Sequence, residues 1–294
     1  MRWAEGFIAV DWGTTNRRGY RIDSAGKCVD EFEDDKGVLS VPDGGFLAAV
    51  AEIRERLGDG PMLLAGMIGS NRGWKEAPYV PAPAGIDDLA KALLWVGERE
   101  AIVPGVSFVD DSSADVMRGE EVQLLGALAA GQIPNHDLVC HPGTHNKWVK
   151  VEAGRIARFR TVMTGELFNL LKQHSVLADL LQGDVAPNDA FEQGVRHALG
   201  ADDLPAELFS IRARVLLGQA RREDAPSYAS GLLIGSDVRI GLAGHSGEVS
   251  VMGRPELTRL YAAAIRLAGA QPVELDGEQS FLAGVTKIAE TISK

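Results

Sequence analysis

Residues 11–17 read DWGTTNR, and residues 141–147 read HPGTHNK. Gly, Thr and Asn occupy the same places in both heptads, and a cationic residue follows the Asn in each. Short apolar runs flank both heptads, so each is predicted to form a polar turn between two strands. Two such hairpins, one in each half of the chain, indicate duplicated domains that face each other across a cleft. A chance match over seven residues is the alternative.

Strand-like and helix-like patterns alternate along the rest of the chain, which is typical of an α/β protein. Strands are predicted at residues 7–10, 19–23, 62–65, 106–109 and on both sides of 141–147, and strand and turn character at 231–244 and 248–253. Helices are predicted from residue 87, from Ser113 as N-cap to residue 131, over most of 165–218, and from Pro255. A domain change near residue 110 gives domains 1–110 and 111–294.

The bulk composition restricts the class of partner and the compartment. The net charge of −11 over 294 residues disfavours binding to nucleic acid or to an anionic membrane surface, because the basic residues form no cluster. Cys28 and Cys140 are far apart and suit neither a disulfide framework nor a thiolate metal site. No apolar run is long enough for a signal sequence or a membrane span, so a cytoplasmic protein is expected.

The two heptads, called here the first turn (11–17) and the second turn (141–147), have the chemistry of phosphate-binding turns. Glycine lets backbone N–H groups approach an oxyanion, and threonine hydroxyls and lysine add donors. The predicted phosphate contacts are Gly13, Thr14, Thr15, Gly143, Thr144 and Lys147. Asp11 is predicted to hold Mg²⁺ directly or through water, although it could instead cap its own turn. His141 occupies the equivalent position, so no metal is expected at the second turn.

Two such turns could bind a nucleoside triphosphate. Transfer of its γ-phosphoryl group to a hydroxyl would need a base, and a carboxylate is the usual group. Glu120 and Glu121 lie in a predicted helix where apolar residues would otherwise be expected, so at least one should be partly desolvated. Glu120 is the preferred base, followed by Glu121 and then Asp115. The alternative is a solvated helix face on which Arg118 pairs with Glu121.

Gly253 ends a predicted strand and precedes a predicted helix, an edge where adenine could contact the backbone, although a simple turn is the alternative. The sequence has neither a P-loop motif nor a G-x-S-x-G motif, which disfavours P-loop kinases and α/β-hydrolases. The histidine spacing predicts no zinc site.

Several blocks resemble known families. AVDWGTTNRRGYRID and HPGTHNKWV resemble the two phosphate motifs of the actin/hexokinase/Hsp70 superfamily. Over nearly the whole chain the sequence resembles the 2-dehydro-3-deoxygalactonokinases, through the blocks GMIGSNRGWKEAPYVPAPAG, DVMRGEEVQLLGAL, PGTHNKWV, TVMTGELFNLL, SGLLIGSDV and GRPELTRLYAAAI.

This resemblance implies a two-domain actin-like ATPase fold of the ribonuclease H-like type, with duplicated domains around a nucleotide cleft. Domain 1–110 would carry the first turn and sugar-acid contacts, and domain 111–294 the second turn and the adenosine site near Gly253. The implied reaction is phosphorylation by Mg²⁺-ATP of 2-dehydro-3-deoxy-D-galactonate at its 6-hydroxyl, in galactonate breakdown. The implied sugar-acid contacts are Arg17, Ser70, Asn71, Trp74, Thr164 and Glu166. Arg18, Arg72 and Lys147 are further candidates for binding the substrate carboxylate.

Three alternatives stay open at this point. The acceptor could be another sugar or keto-deoxy acid, which substrate profiling would reveal. The protein could be an exopolyphosphatase-like phosphohydrolase, in which Glu120 or Glu121 activates water. A non-catalytic sugar sensor is the third alternative, but such proteins usually carry an additional interaction module.

Overall fold

The computed structural model describes Trp3 and residues 5–293. The strands are β1 (Phe7–Trp12), β2 (Arg17–Ile22), β3 (Cys28–Asp34), β4 (Met62–Gly66), β5 (Tyr79–Pro81), β6 (Leu94–Trp95), β7 (Glu100–Ile102), β8 (Gly105–Val109), β9 (Ala114–Met117), β10 (Asp137–His141), β11 (Asn146–Glu152), β12 (Arg155–Val162), β13 (Glu248–Gly253) and β14 (Gln271–Asp276). The α-helices are α1 (Phe46–Leu57), α2 (Ile86–Lys91), α3 (Glu120–Ala129), α4 (Thr164–His174), α5 (Asp189–Gly200), α6 (Leu204–Leu216), α7 (Ala225–Gly241), α8 (Pro255–Leu267) and α9 (Gly277–Ile292). Within this described part, no helix is both long and apolar enough to span a membrane.

The chain forms two compact units. The first comprises residues 1–136, 151–158 and 277–294, and the second comprises residues 137–150 and 159–276. Helix α3 belongs to the first unit, where it packs along α9 from the C-terminal end of the chain. The bounds of these units differ from those of the predicted domains 1–110 and 111–294. The order of elements along the chain does not show that α9 packs against α3. The division of binding roles between the predicted domains stays a prediction.

The first unit is built on a six-stranded sheet with the order β3-β2-β1-β4-β7-β6. Strand β1 pairs antiparallel with β2 and parallel with β4, and β4 pairs parallel with β7. Alternate residues of β1 point to opposite faces. Ile8, Val10 and Trp12 pack in one apolar cluster with residues of α1. Asp11 therefore lies on the opposite face of the sheet, at the end of the strand.

The second unit is built on a five-stranded sheet with the order β12-β11-β10-β13-β14, of which residues 151–158, at the β11–β12 hairpin, are grouped with the first unit. Strands β10, β13 and β14 are parallel. In both units, three consecutive strands lie side by side and are followed by two strands parallel to the first. When edge strand β6 is left out of the first sheet and the strands of each sheet are numbered along the chain, both sheets have the order 3-2-1-4-5. This shared order confirms the predicted duplication and the α/β fold of the actin-like type.

One predicted element was wrong in part and another was wrong. The helix predicted from Ser113 to residue 131 is confirmed from Glu120, where α3 begins after Gly119 takes a φ of +109°, but residues 114–117 form strand β9, which pairs with β8. Residues 231–244, predicted as strand and turn, lie largely in α7. Their glycines allow close helix packing: a Cβ on Gly231 would lie 2.2 Å from the Phe191 carbonyl oxygen of α5. Most of α7 is buried, so it shows no polar face from which a helix could be recognised.

Candidate active site

The first turn connects β1 to β2 and is held from behind by the backbone of residues 37–39. The Gly13 N–H donates to the Asn16 carbonyl at 2.9 Å and closes the turn. The carbonyls of Gly13, Thr14 and Thr15 accept hydrogen bonds of 2.9–3.2 Å from the N–H groups of residues 37–39. The side chains of Thr14 and Thr15 are exposed. The backbone of the turn is thus held in place by residues 37–39, and both threonine side chains reach solvent.

Asp11 lies where three segments of the first unit converge. A Cβ on Gly66, which ends β4 with a φ of +90°, would lie 3.3 Å from the Asp11 Oδ1 atom. A Cβ on Gly119 would lie 3.3 Å from the Gly66 Cα atom. The end of β1, the end of β4 and the start of α3 therefore lie close together. A side chain at Gly66 or Gly119 would crowd this place. Asp11 itself is only partly buried.

The first two residues of α3 are the two candidate bases, and they lie in different environments. Glu121 is fully buried, and its Oε2 atom accepts a 2.7 Å hydrogen bond from the Gly119 N–H. Its Oε1 atom has no hydrogen-bond partner among the described residues. Burial, with a smaller contribution from the charge of Glu120, raises the pKa of Glu121 to about 8.

Glu120 is only partly buried, and its carboxylate accepts a 3.1 Å hydrogen bond from the Arg118 N–H. The alternative of a solvated pair between Arg118 and Glu121 is wrong, because Glu121 has no exposed surface. Asp115, the third candidate base, lies in β9 instead of on α3 and accepts a hydrogen bond from the Val116 N–H. Of the two carboxylates that begin α3, only Glu120 reaches solvent.

The second turn connects β10 to β11 and packs against the start of α4. A Cβ on Gly165 would lie 2.6 Å from the Gly143 carbonyl oxygen. The Glu166 N–H donates to the Thr144 carbonyl at 2.9 Å, and the Glu166 carboxylate contacts the His145 ring. The Thr144 side chain is exposed. Lys147 is almost fully buried, and its Nζ donates to the His145 carbonyl at 3.3 Å.

A buried carboxylate that the sequence analysis did not select lies beneath this turn. Asp237 of α7 is 1% exposed and accepts hydrogen bonds from four side chains. They are Asn146 (3.0 Å to each oxygen), Trp148 (2.7 Å), Thr164 (2.5 Å) and Tyr261 (2.5 Å). Burial raises the pKa of Asp237, although these donors act in the opposite direction. The available signal was an Asp inside the otherwise nonionic block SGLLIGSDV.

Gly253, predicted to lie near adenosine, is beside the second turn within the same unit. It ends β13 with a φ of +156°, and a Cβ there would lie 3.2 Å from the Pro142 carbonyl oxygen. Helix α8 begins two residues later at Pro255, as predicted. The contact with adenosine stays a prediction.

Arg17 and Arg18 point to opposite faces of β2. Arg17 is 1% exposed, pairs with Asp34 at 2.9 Å and Glu52 at 3.2 Å, and packs over Trp12. Arg18 lies directly across from Asp11 in the β1–β2 register and is partly exposed. Arg17 therefore braces the face that carries α1, and Arg18 is the arginine on the Asp11 face. The predicted contact of Arg17 with substrate stays a prediction.

The predicted sugar-acid residues fall in both units. Ser70, Asn71 and Trp74 follow Gly66 in the loop after β4 of the first unit, whereas Thr164 and Glu166 begin α4 of the second. The Ser70 hydroxyl donates to the Met67 carbonyl at 2.7 Å, and Trp74 stacks on Phe46 at a centroid distance of 6.4 Å. Asn71 is exposed, as is Arg72 beside it. Thr164 is buried against Asp237.

Asp11 fits a magnesium ion that is bound mainly by nucleotide. Among the residues that the structure describes, no three His, Cys, Asp or Glu side chains are grouped as metal ligands. Mg²⁺ in nucleotide sites usually keeps several waters and takes one or two carboxylates besides phosphate oxygens. The partly exposed Asp11 carboxylate, at the end of β1 and beside the first turn, has the required donor chemistry.

The fold and the two turns define a class: an α/β protein of the actin-like type with a Gly-Thr hairpin in each of its two units. The family model for 2-keto-3-deoxy-galactonokinase matches residues 11–288. The chain is 35% identical over 291 residues to a 2-dehydro-3-deoxygalactonokinase of Escherichia coli (strain K12), covering 98% of each chain. A relative from Rhizobium meliloti (strain 1021) with the same enzyme name is 35% identical over 312 residues, covering 99% of each chain.

A solved structure from Sinorhizobium meliloti that carries the same enzyme name is similar throughout, with a TM-score of 0.91. Its identity is 33%, and the match covers 97% of this chain and 99% of the other. The chain therefore belongs to the 2-keto-3-deoxy-galactonokinase family, which is a family of carbohydrate kinases.

Proposed function

We propose that this protein transfers the γ-phosphoryl group of ATP to the 6-hydroxyl of 2-dehydro-3-deoxy-D-galactonate. The products would be ADP and 2-dehydro-3-deoxy-6-phosphogalactonate, a step of galactonate breakdown. The observation that carries the proposal is the convergence of the Asp11 carboxylate, Gly66 and the Glu120 end of α3 beside the first turn. Family membership supports the choice of acceptor.

Glu120 is the proposed general base. Its partly exposed carboxylate would take the proton of the 6-hydroxyl as that oxygen attacks phosphorus and the bond to the ADP oxygen breaks. Glu121 would hold the Gly119 amide in place. With a pKa of about 8, Glu121 is largely neutral at pH 7 and adds little negative charge near the attacking oxygen.

The two turns would bind the triphosphate through Gly13, Thr14, Thr15, Gly143 and Thr144, with Lys147 nearby. Asp11 would hold Mg²⁺ directly or through water; when bound, the ion would neutralise charge on the phosphate oxygens. Gly253 would lie along the adenosine. These contacts follow from the chemistry of the turns and from the family resemblance.

Asn71, Arg72 and Arg18 are the preferred contacts for the sugar acid. Asn71 and Arg72 are exposed in the loop that starts at Gly66, and Arg18 lies on the Asp11 face of the sheet. Arginine binds carboxylates through paired N–H donors. Ser70, Trp74 and Glu166 stay as candidates, whereas the buried positions of Arg17 and Thr164 favour structural roles for both.

A coupled ADP-release assay tests the proposal. Purified protein with Mg²⁺-ATP is given 2-dehydro-3-deoxy-D-galactonate, its gluconate epimer, glucose or no acceptor. Turnover on the galactonate derivative, well above the other three, is the expected result, and mass spectrometry of the product should place the phosphate on O6. Preference for another acceptor would correct the substrate, and ADP release without acceptor would indicate a phosphohydrolase.

The cytoplasm is the compartment proposed for this reaction, because ATP is available there. Cys28 and Cys140 are both free thiols, which is compatible with a reducing compartment. Cell fractionation followed by immunoblotting against a cytoplasmic marker tests this part of the proposal.

A further inference from the structure

The hydrogen bonds to Asp237 join four elements of the second unit. The carboxylate belongs to α7, and its donors come from β11 (Asn146 and Trp148), α4 (Thr164) and α8 (Tyr261). All four partners donate to it. Because the amide nitrogen of Asn146 and the indole nitrogen of Trp148 can only donate, the group at their centre must accept hydrogen bonds. An ionised carboxylate meets that requirement, with two oxygens and about four lone-pair sites.

Two of the four donors lie on either side of the contact between the second turn and α4. Asn146 follows the exposed residues of the turn and begins β11, and Thr164 is the first residue of α4. Between them, the Gly143 carbonyl approaches Gly165, and the Glu166 N–H binds the Thr144 carbonyl. One carboxylate therefore anchors both the turn and the helix end on which the turn rests.

The Asn146 amide also links the turn to the strand that enters it. Its Oδ1 atom accepts a hydrogen bond from the Cys140 thiol at 3.4 Å, and its Nδ2 atom donates to both oxygens of Asp237. Cys140 lies in β10, two residues before Pro142. The amide thus bridges both strands of the hairpin to α7, and its orientation depends on the acceptor at Asp237.

We propose that Asp237 is a positioning residue for nucleotide binding: through Asn146 and Thr164 it fixes the second turn in the conformation that receives the phosphates of ATP. This role rests on the proposed function, because it assigns the phosphates to the second turn. Asp237 is buried and acts through the turn, so it does not contact the nucleotide itself.

The test substitutes Asp237→Asn, which keeps the shape but leaves one oxygen, with an NH₂ donor in place of the other, to face the obligatory donors Asn146 Nδ2 and Trp148 Nε1. The matched control is Ser250→Ala, which removes a partly buried hydrogen bond to Asp137 at the end of β10 that is remote from the turn. Calorimetry measures the Kd of Mg²⁺-ADP for the full-length proteins, and steady-state assays give KM separately for ATP and for the sugar acid. Thermal unfolding of each variant shows how much stability is lost.

Asp237→Asn should raise the Kd of Mg²⁺-ADP and the KM for ATP by about tenfold or more, equivalent to about 1.4 kcal/mol. The KM for the sugar acid should stay within about threefold, and Ser250→Ala should change each constant by less than about twofold. A residue with only a structural role would lower stability without this split between the two substrates.

Thr164→Val and Thr164→Ser provide a second route if Asp237→Asn does not fold. Thr164→Val removes one donor with little change in shape and should weaken Mg²⁺-ADP binding about threefold or more, whereas Thr164→Ser keeps the hydroxyl and should bind like wild type. If Asp237→Asn folds and binds Mg²⁺-ADP as wild type does, the role of Asp237 is overturned and the proposed function is left intact. If Asp237→Asn does not fold, unchanged Mg²⁺-ADP binding in Thr164→Val has the same consequence. If the wild-type protein neither binds Mg²⁺-ADP nor turns over, both proposals fail.

Discussion

The first and second turns share a heptad pattern and a place in the strand order, but their carboxylates differ in position. In the first turn Asp11 lies near the end of β1 and is partly exposed. It lies beside Gly66, which in turn lies beside Gly119 at the start of α3. In the second turn His141 takes that place, and the buried carboxylate beneath the turn is Asp237. Under the proposals above, the partly exposed Asp11 would serve the chemistry at the first turn, and the buried Asp237 would fix the position of the second turn.

The largest expected effect tests whether the exposed carboxylate of α3 is the base. Glu120→Gln should lower kcat by about 10²- to 10⁴-fold, because the amide cannot accept the hydroxyl proton. Glu121→Gln is the neighbouring control and should lose much less, since Glu121 is buried and holds the Gly119 amide. Initial rates at saturating ATP and sugar acid give both values. The reverse order of effects would move the base to Glu121.

The next effect tests the difference between the two turns directly. Asp11→Asn should lower kcat by about 10²-fold, because the carboxylate that would hold Mg²⁺ is lost. His141→Asn, at the matching place of the second turn, should cost less than about tenfold. Rates measured over a Mg²⁺ titration should show a weakened Mg²⁺ dependence only for Asp11→Asn. Equal losses in the two variants would contradict the asymmetry between the turns.

A pH-dependent loss of stability is expected from Glu121. Its folded-state pKa of about 8 lies above its ordinary value of 4.5, so the folded protein holds a proton that the unfolded chain releases. The stability from this group is fully present below about pH 4.5 and is lost as pH rises through about 8. The free energy of unfolding should therefore fall by up to about 1.4 kcal/mol per pH unit in this window.

Urea unfolding measures this slope. The free energy of unfolding of wild type and of Glu121→Gln is determined at intervals of about half a pH unit between about pH 5.5 and 8.5. The wild-type free energy should decline more steeply than that of the variant. If the free energy of unfolding of the two proteins changed with pH in the same way, Glu121 would have the same pKa in the folded and unfolded states.

The smallest expected effect concerns the contact of the second turn with α4. Gly165→Ala places a Cβ against the Gly143 carbonyl and should cost about 1–3 kcal/mol of stability and raise the KM for ATP several-fold. Gly200→Ala is the matched control, because a Cβ at Gly200, near the end of α5, would meet no atom within 4 Å. Thermal unfolding and ATP titration of both variants make the comparison. A harmless Gly165→Ala would mean that the turn can move away from α4.

Several features of the site could be predicted from local patterns. The turns at the two heptads, the strands that flank them and the start of α8 depend on turn chemistry and on short apolar runs. The structure confirms all three predictions. The choice between Glu120 and Glu121 depends instead on which side chain α3 turns inward. The predicted helix from Ser113 placed both carboxylates in mid-helix, whereas they begin α3 after strand β9 and Gly119.

The buried carboxylate and the two arginines show what local patterns miss. Asp237 was overlooked because its four partners come from segments up to 91 residues away in sequence. Arg17 was preferred over Arg18 for substrate, although strand alternation separates them. Which arginine is buried is shown only by the contacts of Arg17 with Trp12, Asp34 and Glu52, on the face of the sheet that carries α1.

The sequence by itself determined the duplicated hairpins, the α/β class, the family and a short set of chemically competent residues, because each depends on neighbouring residues or on a contiguous block. The tertiary structure alone decided that α9 completes the unit of α3, that Glu121 is buried while Glu120 reaches solvent, and that Asp237 supports the second turn. These outcomes depend on desolvation and on hydrogen bonds between distant segments, and burial is a property of the packed chain.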